Sequence, residues 1–140
     1  MKVLFDTNVV LDVLLAREPH AGFAARLLSL VEVERLEGCV CATAVTTVHC
    51  VAAKTVGRRR AGKLVKEVVS LLAVAPVDGA IVAAALELDF GDFEDAVVHE
   101  AARAAGAAGI VTRNGKDFMR ATLPVFDPQE LLSALVAAGD

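Results

Sequence analysis

The sequence predicts an α/β fold: one domain over residues 1–140, a three-layer sandwich with a central parallel sheet of four to five strands flanked by helices. Short apolar runs alternate with longer segments of helical periodicity, which is typical of parallel strands joined by right-handed crossovers. The apolar residues are mainly Ala, Val and Leu, and the chain has no Trp or Tyr, which suits helices packed on a small sheet. A chain of 140 residues is long enough for one substantial core.

The predicted elements follow one another with clear boundary signals. Strands are predicted in five short apolar runs, residues 2–5, 39–42, 73–77, 109–112 and 125–126. Helices are predicted over residues 9–15, 19–37, 43–54, 59–72, 79–88, 92–105 and from residue 128 onward. Three residues are predicted helix N-caps: Thr43, Asp78 and Asp92. Pro128 suits the first position of the closing helix, and Gly57 separates two helices.

Composition bounds the class of protein. The formal net charge is −4, which excludes a generic polyanion-binding protein. Because 56% of the residues are hydrophobic in so short a chain, apolar surface is left over and we expect a homodimer. Asp6 interrupts the N-terminal apolar run too early for a signal peptide, and residues 76–79 divide the longest apolar stretch. We therefore expect a cytoplasmic protein with no membrane association.

The three cysteines do not suggest a metal site. Cys39, Cys41 and Cys50 fit a reducing compartment better than a disulfide framework. The spacing C-x-C followed by His49-Cys50 matches no common structural zinc pattern. We interpret Cys39 and Cys41 as small buried residues of a strand.

Acidic residues follow, or lie just beyond, three predicted strands. They are Asp6, the pair Asp92 and Asp95, and Asp117. In a parallel sheet the carboxyl ends of the strands lie at one edge, so these carboxylates can converge. Carboxylates that share a small volume repel one another unless a cation compensates, and Mg²⁺ or Mn²⁺ suits such oxygen ligands. A divalent ion held in this way and activating water is a standard route to phosphodiester hydrolysis.

Each acid also has a purely structural interpretation. Asp92 and Asp95, three apart, fit a helix N-cap and an N3 acid favoured by the helix dipole. Asp117 can end a turn after Asn114-Gly115. Asp12, six residues beyond Asp6, is expected on the solvated face of its helix. Only the joint placement of the acids favours a metal site.

Three segments together resemble the PIN domain family. They are Val3-Leu4-Phe5-Asp6-Thr7-Asn8, Asp92-Phe93-Glu94-Asp95-Ala96 and Val111-Thr112-Arg113-Asn114-Gly115-Lys116-Asp117-Phe118. Each motif alone is weak, whereas three in this order within about 120 residues are a specific signal. The segment Arg17-Glu18-Pro19-His20 is typical of one PIN subgroup. The resemblance covers nearly the whole chain.

The resemblance implies a Mg²⁺-dependent ribonuclease, with Mn²⁺ as a substitute. Many small single-domain bacterial members are VapC-like toxins of toxin–antitoxin pairs, so an RNA substrate and a cognate antitoxin are implied as partners. By position, Asp6 and Asp95 would be the core metal ligands, with Asp92 and Asp117 as further acids near the metal. Asp6, Asp95 and Asp117 would be the catalytic residues. The side chains implied to line the site and contact substrate are Thr7, Asn8, Thr112 and Asn114.

Two positions depart from the family pattern. The family usually has Glu on the helix after the second strand, where this chain has His49, and Asn114 stands where many relatives have Asp. Such a loss of negative charge weakens a second metal ion more than the first, so we expect one ion and slow turnover. His49 is predicted to contact a phosphate or to orient water; the alternative is a histidine at the edge of the core.

The basic run provides a further predicted contact with RNA. Six of the 14 Lys and Arg residues lie within residues 54–66, and Arg58 and Arg59 are predicted to bind substrate. The run contains no aromatic residue, so base stacking is not indicated. The alternative is a solvated helix face or a contact with a protein partner.

Two other functions are weighed against the ribonuclease. The departures at His49 and Asn114 are compatible with a catalytically degenerate PIN-fold module that binds RNA or protein. A phosphohydrolase of the haloacid dehalogenase type would need a second Asp two residues after Asp6, where this chain has Asn8. That reaction class is therefore disfavoured.

Overall fold

The central sheet has five parallel strands in the order β3-β2-β1-β4-β5. A computed structural model describes residues 1–138. The strands are β1 (Lys2–Phe5), β2 (Glu37–Cys41), β3 (Ala73–Ala75), β4 (Gly109–Val111) and β5 (Val125–Phe126). Because all four pairings are parallel, the carboxyl ends of the strands lie along one edge, with β1 in the middle. The predicted α/β sandwich with a parallel sheet is confirmed.

Seven helices accompany the sheet within residues 1–138. They are α1 (Thr7–Leu14), α2 (Ala21–Glu32), α3 (Ala42–Val56), α4 (Arg58–Leu71), α5 (Gly79–Leu86), α6 (Phe93–Ala104) and α7 (Pro128–Ala137), with a 3-10 turn at Gly115–Phe118. Helices α3 and α4 pack against each other as a hairpin whose turn is Gly57, at φ +88°. The predicted caps Asp78 and Asp92 accept backbone hydrogen bonds from Ile81 and Asp95, respectively.

Two predicted boundaries are wrong. Helix α2 ends at Glu32 rather than residue 37, because Glu34 adopts a positive φ of 61° and the chain turns there into β2. Thr43 is not an N-cap, since α3 begins directly after β2 with Cys41 at the cap position. The Thr43 hydroxyl instead lies 3.2 Å from the Cys41 sulfur.

The core is built around β1, whose residues Val3, Leu4 and Phe5 are fully buried. Gly38 on β2 allows this close packing, because a Cβ there would lie 2.6 Å from Leu72 Cδ2 and 2.9 Å from Phe5 Cε2. A strand covered on both faces in this way is typical of a parallel sheet. The residue that follows β1, Asp6, is therefore placed at the centre of the carboxyl edge.

The cysteines are reduced and two of the three are buried. Cys39 and Cys41 lie inside β2, whereas Cys50 is exposed on α3. Within residues 1–138 we find no helix that combines the length and the apolar character needed to cross a bilayer.

Candidate metal centre

Asp6 is held by three hydrogen bonds at the end of β1. Its Oδ1 accepts from the backbone N–H of Thr7 at 2.9 Å, because Asp6 is the N-cap of α1. Its Oδ2 accepts from the Thr112 hydroxyl at 2.8 Å and from the Asn8 amide at 3.3 Å. With the residue only 6% exposed, these bonds fix the direction of the carboxylate.

The segments that follow β1 and β4 are joined by hydrogen bonds. Phe5 and Val111 are neighbours in the sheet, so Thr112 emerges beside Asp6. The Thr112 hydroxyl also accepts the backbone N–H of Asn114 at 3.0 Å. The Asn8 side chain spans the same gap, accepting the backbone N–H of Arg113 at 3.2 Å. Two motifs that lie about a hundred positions apart in the chain thus form one wall of the site.

Helix α6 and the 3-10 turn bring the other acids to this edge. Asp92 caps α6 and accepts the backbone N–H of Asp95 at 3.1 Å. Asp117 lies on the 3-10 turn, where its backbone N–H donates to the Asn114 carbonyl at 2.9 Å. Asp92 and Asp117 are exposed, whereas Asp95 is half-buried. Asp92 is therefore both the N-cap of α6 and a neighbour of the other acids.

The charges of these acids affect one another. The pKa of Asp95 is raised to about 7, first by burial and then by the charges of four neighbours: Asp92, Asp6, Asp117 and Glu94. Burial also raises the pKa of Asp6. The hydrogen bonds from Thr112 and Thr7 act in the opposite direction, and the charges of Glu94 and Asp117 add to the rise. A cation placed among these carboxylates would relieve the repulsion.

The donor set fits a hydrated Mg²⁺ or Mn²⁺ ion. Asp6 uses three of the roughly four acceptor positions of a carboxylate, and the carboxylate of Asp95 accepts no hydrogen bond from residues 1–138. As the side chains stand in the described part of the chain, no three acidic, histidine or cysteine residues are grouped closely enough to hold an ion together. Mg²⁺ keeps several waters and uses one or two carboxylates, so it does not require such a group.

An open groove of about 790 Å³ borders this cluster. Its lining includes three acidic residues, Asp89, Asp92 and Asp117, and two basic residues, Lys116 and Arg120. Asp6 and Asp95 do not line it, so the groove lies beside the buried acids and not over them. Lys116 and Arg120 are the two lining side chains that could contact an anionic group.

Comparison with known proteins identifies the family. The sequence model of the PIN domain family matches residues 2–116. The chain belongs to the PIN domain family. The resemblance seen in the three motifs is confirmed.

Two kinds of relatives support the assignment. The chain is 26% identical over 134 residues to Ribonuclease VapC1 of Aquifex aeolicus, covering 92% of each protein. A toxin–antitoxin complex from Klebsiella pneumoniae has a similar fold, with a TM-score of 0.67 at 21% identity over 90% of this chain and 97% of that one. Mycobacterium tuberculosis VapC20, a toxin that cleaves the sarcin–ricin loop, gives a TM-score of 0.62 at 16% identity over 98% and 95%.

The PIN domain contains an acid that the sequence analysis did not assign to the site. Glu94 raises the pKa of both Asp6 and Asp95 through its charge, and its Oε1 accepts a hydrogen bond from the Thr47 hydroxyl at 3.4 Å. In the sequence, the signal for including Glu94 in the site is its position directly before Asp95. Through Thr47, α3 contacts Glu94.

His49 and the two arginines are predicted to contact substrate, and these roles stay predictions. His49 lies two residues beyond Thr47, about 200° further around α3, and makes none of the side-chain hydrogen bonds found within residues 1–138. Arg58 and Arg59 are exposed in the first turn of α4, at the turn of the hairpin. Their roles in binding substrate stay predictions.

Asp12 was expected in solvent, and this expectation is wrong. The residue is 0% exposed, and its carboxylate accepts hydrogen bonds from Arg17 Nε at 2.9 Å and Arg113 Nη2 at 3.2 Å. Arg17 also donates to the Asn8 carbonyl at 3.3 Å. The wall that holds Asp6 is therefore backed by a buried carboxylate paired with two partly exposed arginines.

Proposed function

We propose that this PIN domain is a ribonuclease that uses Mg²⁺ or Mn²⁺ to hydrolyse RNA phosphodiester bonds, and that it acts in the cytoplasm as the toxin of a toxin–antitoxin pair. The observation that carries the proposal is the meeting of Asp6 and Asp95 among further acids at one sheet edge, with the pKa of both residues raised. The similarity to Ribonuclease VapC1 over 92% of each protein supports the same activity.

The roles of the residues follow from their positions. Asp6 and Asp95 would hold the ion, directly or through water, and Thr112 keeps the Asp6 carboxylate in one orientation. A bound divalent ion would stabilise negative charge on the phosphate and make a bound water more acidic. Asp117, which is exposed, would accept a hydrogen bond from the attacking water.

Asp6→Asn is the decisive test, because Asn replaces Asp at a helix N-cap with little loss. The variant should stay folded by circular dichroism and should lose Mg²⁺-dependent cleavage of a structured RNA. Asp78→Asn is the matched control, since it makes the same change at the exposed N-cap of α5 and should cleave like the wild type. Cleavage by Asp6→Asn at the wild-type rate would refute the proposal.

The alternative is a degenerate PIN module that binds RNA or protein without cleaving. It is favoured by the absence, within residues 1–138, of three grouped metal-binding side chains. Calorimetric titration with Mn²⁺ separates the two functions. Binding that is lost in Asp6→Asn supports the nuclease, whereas no binding at millimolar Mn²⁺ supports the module.

We also propose a cognate antitoxin and a homodimer. The structural neighbour from Klebsiella pneumoniae is a toxin–antitoxin complex, which supports the first partner. Exposed apolar residues such as Leu86 and Val136 are compatible with the second. A short neighbouring gene whose product co-purifies with this chain would establish the antitoxin, and sedimentation of the isolated chain would establish the dimer.

A further inference from the structure

The exposed face of α4 carries a groove lined by positive charges. The groove has a volume of about 550 Å³ and is lined by Arg58, Arg59, Gly62, Lys63 and Lys66. The four cationic residues are all exposed. No acidic residue occurs between residues 54 and 66, so the first two and a half turns of α4 carry charge of one sign, up to the exposed Glu67.

The cations of this groove are not neutralised within the protein. None of the four takes part in the ion pairs found among residues 1–138. Arg58 and Arg59 also lie in the first turn of α4, which has no acidic residue. Positive charge at this end of a helix is unfavourable. The arrangement is therefore not explained by the stability of the helix.

Gly62 gives the groove its open floor. Glycine is less favourable than alanine inside a helix, yet a Cβ at Gly62 would meet no atom within 4 Å. Packing therefore does not require glycine there. The residue lies one turn from Arg58 and one turn from Lys66, so its missing side chain leaves space between two cations.

We propose that this groove, named here the α4 groove, binds the sugar–phosphate backbone of RNA at a site separate from the acidic cluster. The identity of the nucleic acid rests on the proposed ribonuclease function. Lys and Arg side chains neutralise phosphates without reading sequence. The groove has no aromatic residue to stack on bases, so it binds independently of sequence.

The composition of the surface favours RNA over an acidic protein. Stable protein interfaces are built around buried aromatic or apolar anchors, and lysine is depleted in their centres. The large apolar residues that are exposed within residues 1–138 do not include any in residues 54–66. Charge without an apolar anchor is the pattern of a phosphate-binding surface.

Helix α3 connects the α4 groove with the acids. Thr47 contacts Glu94 near the start of α3, and Val56 ends the helix next to Arg58. At 1.5 Å per residue this separation is about 14 Å along the helix axis. An RNA that occupies both sites must extend beyond the scissile phosphate. The α4 groove therefore contributes to affinity for long substrates and not to the chemical step.

The experiment measures binding apart from cleavage. Fluorescence anisotropy with a single-stranded RNA of mixed sequence in EDTA should give a slope of log affinity against log salt of about −3 for four phosphate contacts. Arg59→Gln/Lys63→Gln should reduce the slope by about 1.4 and weaken binding about tenfold. Gly62→Glu, which adds a negative charge between Arg58 and Lys66, should weaken binding more than Gly62→Ala does.

Exposed Arg35 provides the control outside the groove, and Arg35→Gln should bind like the wild type. The proposal is overturned if the groove variants bind RNA with wild-type affinity and salt dependence. Polyglutamate serves as an acidic polypeptide for comparison. The proposal is also overturned if the groove variants bind polyglutamate more weakly than the wild type does but bind RNA equally well. The binding assay needs no metal, so it tests the α4 groove separately from the nuclease. Cleavage by Asp6→Asn at the wild-type rate would refute the ribonuclease, whereas unchanged RNA binding by the groove variants would refute the α4 groove.

Discussion

The guanidinium of Arg113 donates hydrogen bonds to the fully buried carboxylate of Asp12, and this contact ties α1 to the segment that follows β4. Both elements carry residues of the metal centre. Asp6 precedes α1, and Thr112 precedes Arg113. The ionic pair therefore lies behind the acids and supports the wall formed by Asp6, Asn8 and Thr112.

Removal of the Asp12 carboxylate should destabilise the protein. Asp12→Ala leaves Arg17 and Arg113 without their shared partner, and because both arginines are partly exposed we expect a loss of about 2–3 kcal/mol. Urea denaturation measures this loss in the free energy of unfolding. Asp89→Ala is the control, since its ion pair with Arg120 is exposed and should change stability by less than about 1 kcal/mol. Equal urea midpoints for the two variants would contradict the assignment.

Asp12 also shows where prediction from sequence ends. Its partner Arg113 is 101 positions away, and the nearby partner Arg17 is equally compatible with an ion pair on a solvated helix face. The approach of Asp117 to Asp6 could be predicted because a parallel sheet places the ends of β1 and β4 at one edge. Asp95 lies in the first turn of α6, and the helix that leads into a parallel strand begins at that same edge. Glu94 could not be assigned to the site from the sequence, because its position beside the other acids depends on how α6 is oriented toward Thr47.

Thr112 should be needed for its hydroxyl and not for its shape. Thr112→Val keeps the volume but removes the bond that holds Asp6 Oδ2 and leaves the Asn114 N–H without its acceptor. Losing a hydrogen bond that lowers the pKa of Asp6 raises this pKa further, which weakens metal binding. We expect reduced Mn²⁺ affinity by calorimetry and slower cleavage. Thr112→Ser retains the hydroxyl and should behave like the wild type, and a Val variant that matched it would contradict this role.

His99 should hold the loop that follows Asp117 against α6. Its Nε2 accepts the backbone N–H of Thr122 at 3.0 Å, so the proton lies on Nδ1, which donates to Glu100 at 2.8 Å. His99→Leu leaves these groups unpaired and should cost about 1–3 kcal/mol in urea denaturation. Cleavage should also fall, because Asp117 is less firmly placed. Unchanged stability and cleavage would show that this loop is held by other contacts.

The stability of the metal-free protein should fall as pH rises. The pKa of Asp95 is raised to about 7 in the folded state, against about 3.9 in an unfolded chain, so the folded state binds more protons between these values. The contribution is complete below about pH 4 and is lost as pH rises through about 7. In EDTA, Tm should therefore be lower at pH 8 than at pH 5.

Two comparisons assign this pH dependence to the acidic cluster. Asp95→Asn cannot titrate, so its Tm in EDTA should change less between pH 5 and pH 8 than that of the wild type. Mg²⁺ should stabilise the wild type more at pH 8 than at pH 5, because the ion competes with the proton that Asp95 binds. If the Tm of the wild type rose with pH in EDTA, the pKa of Asp95 would not be raised in the folded state. If Mg²⁺ stabilised the wild type more at pH 5 than at pH 8, Asp95 would not bind the ion.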